Sequence, residues 1–128
     1  MIIGSISENK ELEKRISITP EIAKKYINLG FEIQLSENYG KHLGFEEKDY
    51  IDNGVKFVGD EKKLIQSVDV IIQMGLLKQD IMSLIKPNQF FIGVLNPHEN
   101  KSKLDELAKK KINIFSLELL PRITRAQS

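Results

Sequence analysis

Two short apolar runs decide the fold of this chain: VDVIIQM at residues 68–74 and FFIGVL at residues 90–95. Neither run shows the regular alternation of apolar and polar residues that is typical of a strand with one exposed face. Continuous apolar runs of this length predict strands of a parallel sheet that are covered on both faces. We therefore expect residues 68–72 and 90–94 to form neighbouring central strands.

Four further apolar segments flank these runs, and helix signals separate them. Strands are predicted at residues 1–6, 31–35, 55–58 and 112–115, and helices at residues 20–29, 45–53, 60–65, 81–85 and 100–111. The first helix has the clearest signals, because Thr19 is a capping residue, Pro20 suits the first helical position and Gly30 follows the last apolar residue. This alternation predicts an α/β fold with a doubly wound, mainly parallel, Rossmann-like (flavodoxin-like) sheet flanked by helices.

Composition excludes several classes of protein. Lys and Arg number 19 against 18 Asp and Glu, a net charge of +1, whereas a dedicated nucleic-acid binder has a pronounced basic excess. The absence of Cys excludes disulfide scaffolds, thiol nucleophiles and Cys-ligated zinc, and 2 His residues are too few for a His-rich metal site. The apolar runs are far shorter than the ~20 residues that span a bilayer, and no signal peptide is visible. We expect a soluble segment that binds neither nucleic acid nor metal.

Ligands of parallel α/β sheets bind outside the carboxyl ends of the strands. This rule selects the loops at residues 7–15, 73–77 and 96–100, and the segment from residue 118 onward. In the first loop, Arg15 is able to hold a carboxylate or phosphate, or to pair with Glu11 or Glu13 at the surface. His98 suits either a general acid or base, or a solvated turn.

Two arginines near the end of the chain offer a second anion site. Arg122 and Arg125 are three residues apart after a proline, so one helical turn places both on one face, for anion binding or as ordinary surface charge. No Gly-x-Gly-x-x-Gly follows a predicted strand and no Walker-type loop is present, so this chain alone lacks the usual pyrophosphate cradle. The residues by themselves indicate an α/β domain whose carboxyl-terminal edge carries arginines that are able to bind anions.

Three segments carry a family resemblance: RISITPE at residues 15–21, GFEI at residues 30–33 and LLPRITRAQS at residues 119–128. In this order, and over essentially the whole chain, they resemble the alanine dehydrogenase and pyridine nucleotide transhydrogenase superfamily. The first segment is shared across that superfamily. The last is much more specific and is similar to the α subunit of proton-translocating NAD(P) transhydrogenase.

The resemblance also separates the branches of the superfamily. Alanine dehydrogenases have a substrate-binding lysine in the fourth strand, where this chain has Gln73, and a catalytic histidine at the end of the next strand, where it has Asn96. His98 lies two residues later and does not take that role. Alanine dehydrogenase activity is therefore not expected. An amino-acid dehydrogenase of the alanine or saccharopine type and a non-catalytic α/β binding domain are the alternatives.

The transhydrogenase resemblance implies hydride transfer between NADH and NADP+, coupled to proton translocation. Residues 1–128 would be the N-terminal domain of the NAD(H)-binding component, ending before the domain with the dinucleotide fingerprint and inactive alone. The implied partners are an NADP(H)-binding β subunit, a membrane component and a second copy of the α component. The complex would lie at the cytoplasmic or matrix-type face of the inner or plasma membrane.

The same resemblance implies the candidate cofactor-binding residues. Arg122 and Gln127 fall on positions that face the nicotinamide end of NAD(H), and Ser128 begins the next stretch of that contact. Arg125 and Arg15 complete the candidate set. No residue is expected to act as a catalytic acid or base, because the two nicotinamides carry the reacting atoms.

Overall fold

The computed structural model describes residues 1–9 and 13–117, which form a six-stranded sheet flanked by helices. The strands are β1 (Ile2–Ser5), β2 (Glu32–Ser36), β3 (Lys56–Val58), β4 (Val70–Gln73), β5 (Phe90–Gly93) and β6 (Asn113–Ser116). The helices are α1 (Pro20–Asn28), α2 (Glu47–Ile51), α3 (Glu61–Ser67), α4 (Gln79–Met82) and α5 (Lys101–Lys109), with a 3-10 turn at Lys41–Leu43. Each strand and helix expected from the sequence is present.

The sheet confirms the predicted doubly wound α/β fold. All neighbouring strands are parallel, in the order β3-β2-β1-β4-β5-β6. This is the Rossmann order, which differs from the flavodoxin order 2-1-3-4-5. The direction of winding reverses between β1 and β4, so the topological switch point lies at the carboxyl ends of these two strands.

The two apolar runs that predicted the sheet form neighbouring internal strands. Val70 pairs with Phe90 and Ile71 with Phe91, and neither β4 nor β5 lies at an edge. On one face, here called the back, Ile71 and Phe91 are fully buried beneath α3, α4 and α5. On the opposite face, the front, Ile72, Phe90 and Ile92 are only half-buried. The expectation of burial on both faces is therefore confirmed for the back of both strands and for Val70 on the front of β4, which is 8% exposed, and wrong for Ile72, Phe90 and Ile92.

The helix ends follow the local signals with one exception. Thr19 Oγ1 accepts a hydrogen bond from the Ile22 amide at 3.2 Å, and Gly30 has the positive φ of a left-handed residue, 99°. Asn100 occupies the expected N-cap position of α5, but its side chain makes no capping bond. Its amide nitrogen instead donates to the carbonyl oxygen of Leu95 at 2.9 Å. The amide group therefore stabilises the preceding loop, because its donor faces a carbonyl there.

Gly93 provides a test of the packing between β4 and β5. A Cβ at Gly93 would overlap the carbonyl oxygen of Gln73 and lie 3.1 Å from Leu95 Cδ2. Since that oxygen belongs to a neighbouring internal strand, Gly93→Ala should lower the free energy of unfolding by about 2–3 kcal/mol, measured by urea denaturation. Gly75→Ala is the matched control, because a Cβ there meets no heavy atom within 4 Å. Equal losses in both variants would contradict this packing.

Candidate functional site

Several loops meet at the carboxyl edge of the sheet, the edge that the sequence selected. The loop after β1 covers residues 6–19, although residues 10–12 lie outside the described residues of the chain. It contacts the loop after β2 where His42 Nε2 lies 2.7 Å from the carbonyl oxygen of Lys14. Hydrogen bonds described below connect the same loop to the end of β4. The loop after β1 is therefore held from both sides of the switch point.

Gln73 connects the carboxyl ends of β1 and β4. It is the last residue of β4 and is 1% exposed. Its Oε1 accepts hydrogen bonds from the Ile6 amide at 2.7 Å and from Ser5 Oγ at 3.2 Å. Its Nε2 donates to the Ile6 carbonyl oxygen at 3.0 Å and to Glu8 Oε2 at 2.8 Å. All four hydrogen-bonding positions of the amide are thus used within the protein.

The Glu8 carboxylate also lies at the carboxyl ends of β1 and β4, where it covers the end of β4. Its Oε2 accepts a hydrogen bond from the Met74 amide at 2.7 Å, and the carboxylate also accepts from the Gly75 amide. Burial raises the pKa of Glu8 above its ordinary value, and this effect outweighs the opposing effect of the three N–H donors. The protein's own carboxylate therefore occupies the place where the amides at the end of β4 would meet a ligand.

Two buried tyrosines hold the rest of the loop after β1. Tyr39 Oη lies 2.9 Å from Ser5 Oγ and accepts hydrogen bonds from the amides of Ser17 at 3.1 Å and Ile18 at 3.2 Å. Tyr50 Oη donates to the Ile18 carbonyl oxygen at 2.8 Å. Burial raises the pKa of both phenols, so both are neutral at physiological pH. Their role is to fix the loop backbone.

Arg15 lies in the loop that leaves the carboxyl end of β1, and its side chain is 67% exposed. Its guanidinium forms a bidentate pair with Glu13, with Nε–Oε2 at 2.9 Å and Nη2–Oε1 at 2.8 Å. These hydrogen bonds lower the pKa of Glu13 to about 2. Of the two interpretations of Arg15, the structure shows the surface ion pair, and its partner is Glu13. Its contribution to cofactor binding stays a prediction.

The other predicted cofactor-binding residues, Arg122, Gln127, Ser128 and Arg125, lie outside the described residues. Their expected location on the same edge as Arg15 is therefore still a prediction. His98 is exposed in the turn that leads from β5 to α5, as one of its two interpretations expected. Asn96 begins this turn with a positive φ of 47°, a conformation that asparagine tolerates better than most residues.

Sequence reasoning missed the roles of Glu8 and Tyr39. Glu8 belongs to a polar segment, Ser7-Glu8-Asn9-Lys10, in which nothing distinguishes it from its neighbours. Tyr39 lies in a stretch that the sequence marks only as a loop. One available signal was position, because both residues follow the carboxyl end of a predicted strand.

The described residues do not form a seat for the pyrophosphate of a dinucleotide. Such seats combine a short glycine-rich turn after the first strand with free amides at the start of the next helix. Here the loop from residue 6 to residue 19 contains no glycine. In the first turn of α1, the Ile22 amide already donates its hydrogen bond to Thr19 Oγ1. Gln73 and Glu8 fill the switch point.

The described residues contain neither a cluster of metal-ligating side chains nor a membrane-spanning helix. In residues 1–9 and 13–117, no group of three or more His, Cys, Asp and Glu residues is placed to hold a metal ion. None of the helices in these same two ranges is long and apolar enough to cross a membrane.

An all-parallel sheet in Rossmann order, with polar loops gathered at its carboxyl edge, defines an α/β domain of the Rossmann-like class. Within that class the chain belongs to the family described as alanine dehydrogenase/PNT, N-terminal domain, whose profile matches residues 4–128.

Relatives and solved structures agree with this assignment. The chain is 29% identical to an NAD(P) transhydrogenase subunit alpha polypeptide of Rickettsia prowazekii, over 100% of this chain and 34% of the relative. It is 27% identical to the NAD(P) transhydrogenase subunit alpha of Haemophilus influenzae, over 100% of this chain and 25% of the relative. The solved transhydrogenase of Sinorhizobium meliloti superimposes with a TM-score of 0.89 at 25% identity, covering 99% of this chain and 38% of that one. The chain thus spans about a third or less of the curated relatives' length.

The pKa values of the two glutamates in the loop after β1, Glu8 and Glu13, should be shifted in opposite directions. Carbon-detected NMR titration of the side chains is expected to give a midpoint above 4.5 for Glu8 and a midpoint of about 2 for Glu13. Arg15→Gln should return Glu13 toward 4.5 and leave Glu8 above it. A Glu8 midpoint at or below 4.5 would contradict the burial of its carboxylate.

The corresponding stability effects have opposite signs. The raised pKa of Glu8 contributes stability that is complete below 4.5 and is lost as the pH rises through its folded-state value. The lowered pKa of Glu13 contributes stability above 4.5 that is lost as the pH falls toward 2. The contribution of Glu13 is small, because solvent screens an exposed pair.

Proposed function

We propose that this chain is the N-terminal domain of the NAD(H)-binding component of a proton-translocating NAD(P)+ transhydrogenase, an enzyme that moves hydride between NADH and NADP+. The observation that carries the proposal is Gln73. In an alanine dehydrogenase this position would hold a charged, substrate-binding lysine, according to the resemblance. Here it is a neutral amide whose hydrogen bonds are all made within the protein.

The chemistry of the carboxyl edge supports this choice. Hydride transfer between two nicotinamides needs no acid or base from the protein, which supplies positioning and excludes water. Two titratable groups of the described residues lie beside the switch point, the neutral phenol of Tyr39 and the Glu8 carboxyl, and both are engaged in internal hydrogen bonds. Such an edge suits the positioning of a cofactor better than proton transfer to a keto acid.

The proposed site is divided between two domains. A second domain, with the dinucleotide fingerprint, would hold the pyrophosphate of NAD(H). Arg122, Gln127 and Ser128 would hydrogen-bond the nicotinamide carboxamide and ribose and so fix the orientation of the ring. NADP(H) would be bound by the β subunit, next to a membrane component, and the α component would be a homodimer.

Assays of the complete complex test this proposal. Membranes that contain the complete α component with its partners should reduce thio-NADP+ with NADH, and an uncoupler of the proton gradient should change the rate. L-alanine with NAD+ should yield no NADH above the rate without alanine. Alanine-dependent NADH formation would favour the amino-acid dehydrogenase alternative, and the absence of both activities would favour a non-catalytic binding domain.

Residues 1–128 alone should bind NADH at best in the millimolar range, a binding free energy of about −4 kcal/mol. The reason is that residues 1–9 and 13–117 form no pyrophosphate seat, the feature that supplies most of the anion affinity in such folds. Calorimetric titration of the 128-residue chain with NADH measures this directly. Micromolar binding would contradict the two-domain site.

A further inference from the structure

Asn53 and Gly54 lie in the turn that leads from α2 to β3, and Asn53 is the only asparagine of residues 1–128 that is followed by glycine. The Asn53 amide donates to the Tyr50 carbonyl oxygen at 3.0 Å, and the Gly54 amide donates to the Ile51 carbonyl oxygen at 2.9 Å. Gly54 has a positive φ of 97°, a conformation that glycine adopts without strain. Gly54 is exposed, so water reaches this turn.

The Asn53 side chain connects the turn to α1. Its Nδ2 donates to the Pro20 carbonyl oxygen at 3.2 Å and to the Asp49 carbonyl oxygen at 3.0 Å. Because a carbonyl oxygen only accepts hydrogen bonds, these contacts use the two N–H donors of the amide. The half-buried Asn53 amide therefore joins the first residue of α1 to α2.

An Asn-Gly pair is prone to spontaneous deamidation, since glycine has no side chain to hinder its nitrogen. The Gly54 nitrogen loses its proton to the solvent and attacks Asn53 Cγ. The Cγ–Nδ2 bond breaks, and the departing nitrogen takes a proton from the solvent and leaves as ammonia. Water then opens the cyclic succinimide at either carbonyl, which gives aspartate or isoaspartate. The sequence of steps consumes one water molecule, releases one ammonia molecule and involves no oxidation or reduction.

The closed turn opposes this reaction at both of the reacting groups. The Gly54 N–H is committed to the Ile51 carbonyl oxygen, so loss of its proton costs that hydrogen bond. The leaving nitrogen, Asn53 Nδ2, is held by two carbonyl oxygens, so the amide cannot rotate without breaking both contacts. Deamidation therefore requires the turn to open first.

The product of the reaction does not suit the closed turn. A carboxylate at position 53 has no donor, and it would place its oxygens against the carbonyl oxygens of Pro20 and Asp49. It would also add a negative charge four residues after Asp49, a spacing at which like charges destabilise a helix. Isoaspartate lengthens the backbone as well, and so displaces the Val55 amide that donates to the Tyr50 carbonyl oxygen at 3.1 Å.

We propose that Asn53 is a deamidation site controlled by the fold. Its amide reacts when the turn at residues 52–55 opens, and the resulting carboxylate hinders the turn from closing again. Opening thus leaves a lasting chemical mark in this domain. The inference rests on the contacts between α1, α2 and this turn, and does not require hydride transfer.

Deamidation of the complete subunit in mildly alkaline buffer tests the first half of the proposal. Mass spectrometry follows the peptide that contains residue 53, and electron-transfer fragmentation identifies isoaspartate. We expect the rate in native buffer to be at least about tenfold below the rate in guanidinium chloride, because a protected group reacts through its open state. In guanidinium chloride, Gly54→Ala should deamidate at least about fivefold more slowly than the unaltered subunit. Equal rates in the two buffers, no reaction in guanidinium chloride or an unchanged rate in Gly54→Ala would each overturn the proposal.

Asn53→Asp carries the carboxylate product and tests the second half. Hydrogen exchange of the complete subunit should be at least about fivefold faster at the amides of residues 53–55 than in the unaltered subunit. Asn28→Asp is the matched control, because Asn28 is exposed at the last residue of α1, and there the same change should alter this exchange less than about twofold. Equal exchange in the two variants would overturn the proposal. If Asn53→Asp does not fold, unaltered subunit that has deamidated in native buffer is separated by its charge and measured instead.

Discussion

Replacing Arg122 with alanine in the full-length subunit should slow hydride transfer from NADH by one to two orders of magnitude, while the NADH dissociation constant changes by less than about threefold. The second domain would still hold the pyrophosphate and with it most of the binding free energy. The nicotinamide ring would lose the contact that orients it toward its partner. Interactions that matter for orientation affect the transition state more than the bound ground state.

Stopped-flow hydride transfer and calorimetric titration on the same variant separate the two effects. Lys110→Ala is the control, because Lys110 is an exposed cation at the end of α5, away from the predicted contact. Unchanged transfer with intact NADH binding would mean that Arg122 is an ordinary surface arginine. A parallel loss of binding and rate would mean that it contributes to affinity and not specifically to orientation.

The order and type of the elements were predictable because each left a local signal. The apolar runs at residues 68–74 and 90–95 became β4 and β5, and the cap at Thr19 and the glycine at position 30 mark the limits of α1. Interactions between neighbours in sequence, or a periodic pattern within one segment, are sufficient for such predictions.

The polar network at the switch point was not predictable, because it joins residues that are distant in sequence. Gln73 binds Ile6 and Glu8, which are 67 and 65 positions away. The sequence identified Gln73 as a departure from a family pattern. No pattern indicated that its amide would form all of its hydrogen bonds within the protein. The half-buried front of β5 was equally hidden, because an apolar run looks the same in the sequence whether one face of the strand is covered or both are.

The Gln73 network also yields the largest expected effect on stability. Gln73→Leu keeps the approximate volume of the side chain but leaves the amide and carbonyl of Ile6, which is 4% exposed, without their present partners. Each unsatisfied buried polar group costs about 1–3 kcal/mol. The Glu8 carboxylate loses one of its donors as well. We expect the free energy of unfolding to fall by about 3–5 kcal/mol, a large share of the roughly 5–15 kcal/mol that stabilises a domain.

Urea denaturation of the variant and of Gln66→Leu measures this loss. Gln66 lies on the exposed side of α3, so the same chemical change there should shift the free energy of unfolding by less than about 0.5 kcal/mol. If Gln73→Leu cost no more than that control, water would have replaced the amide, and the switch point would be an accessible polar crevice. The large expected loss instead follows from a filled crevice, in which the end of β4 holds the loop after β1 and leaves no space for solvent.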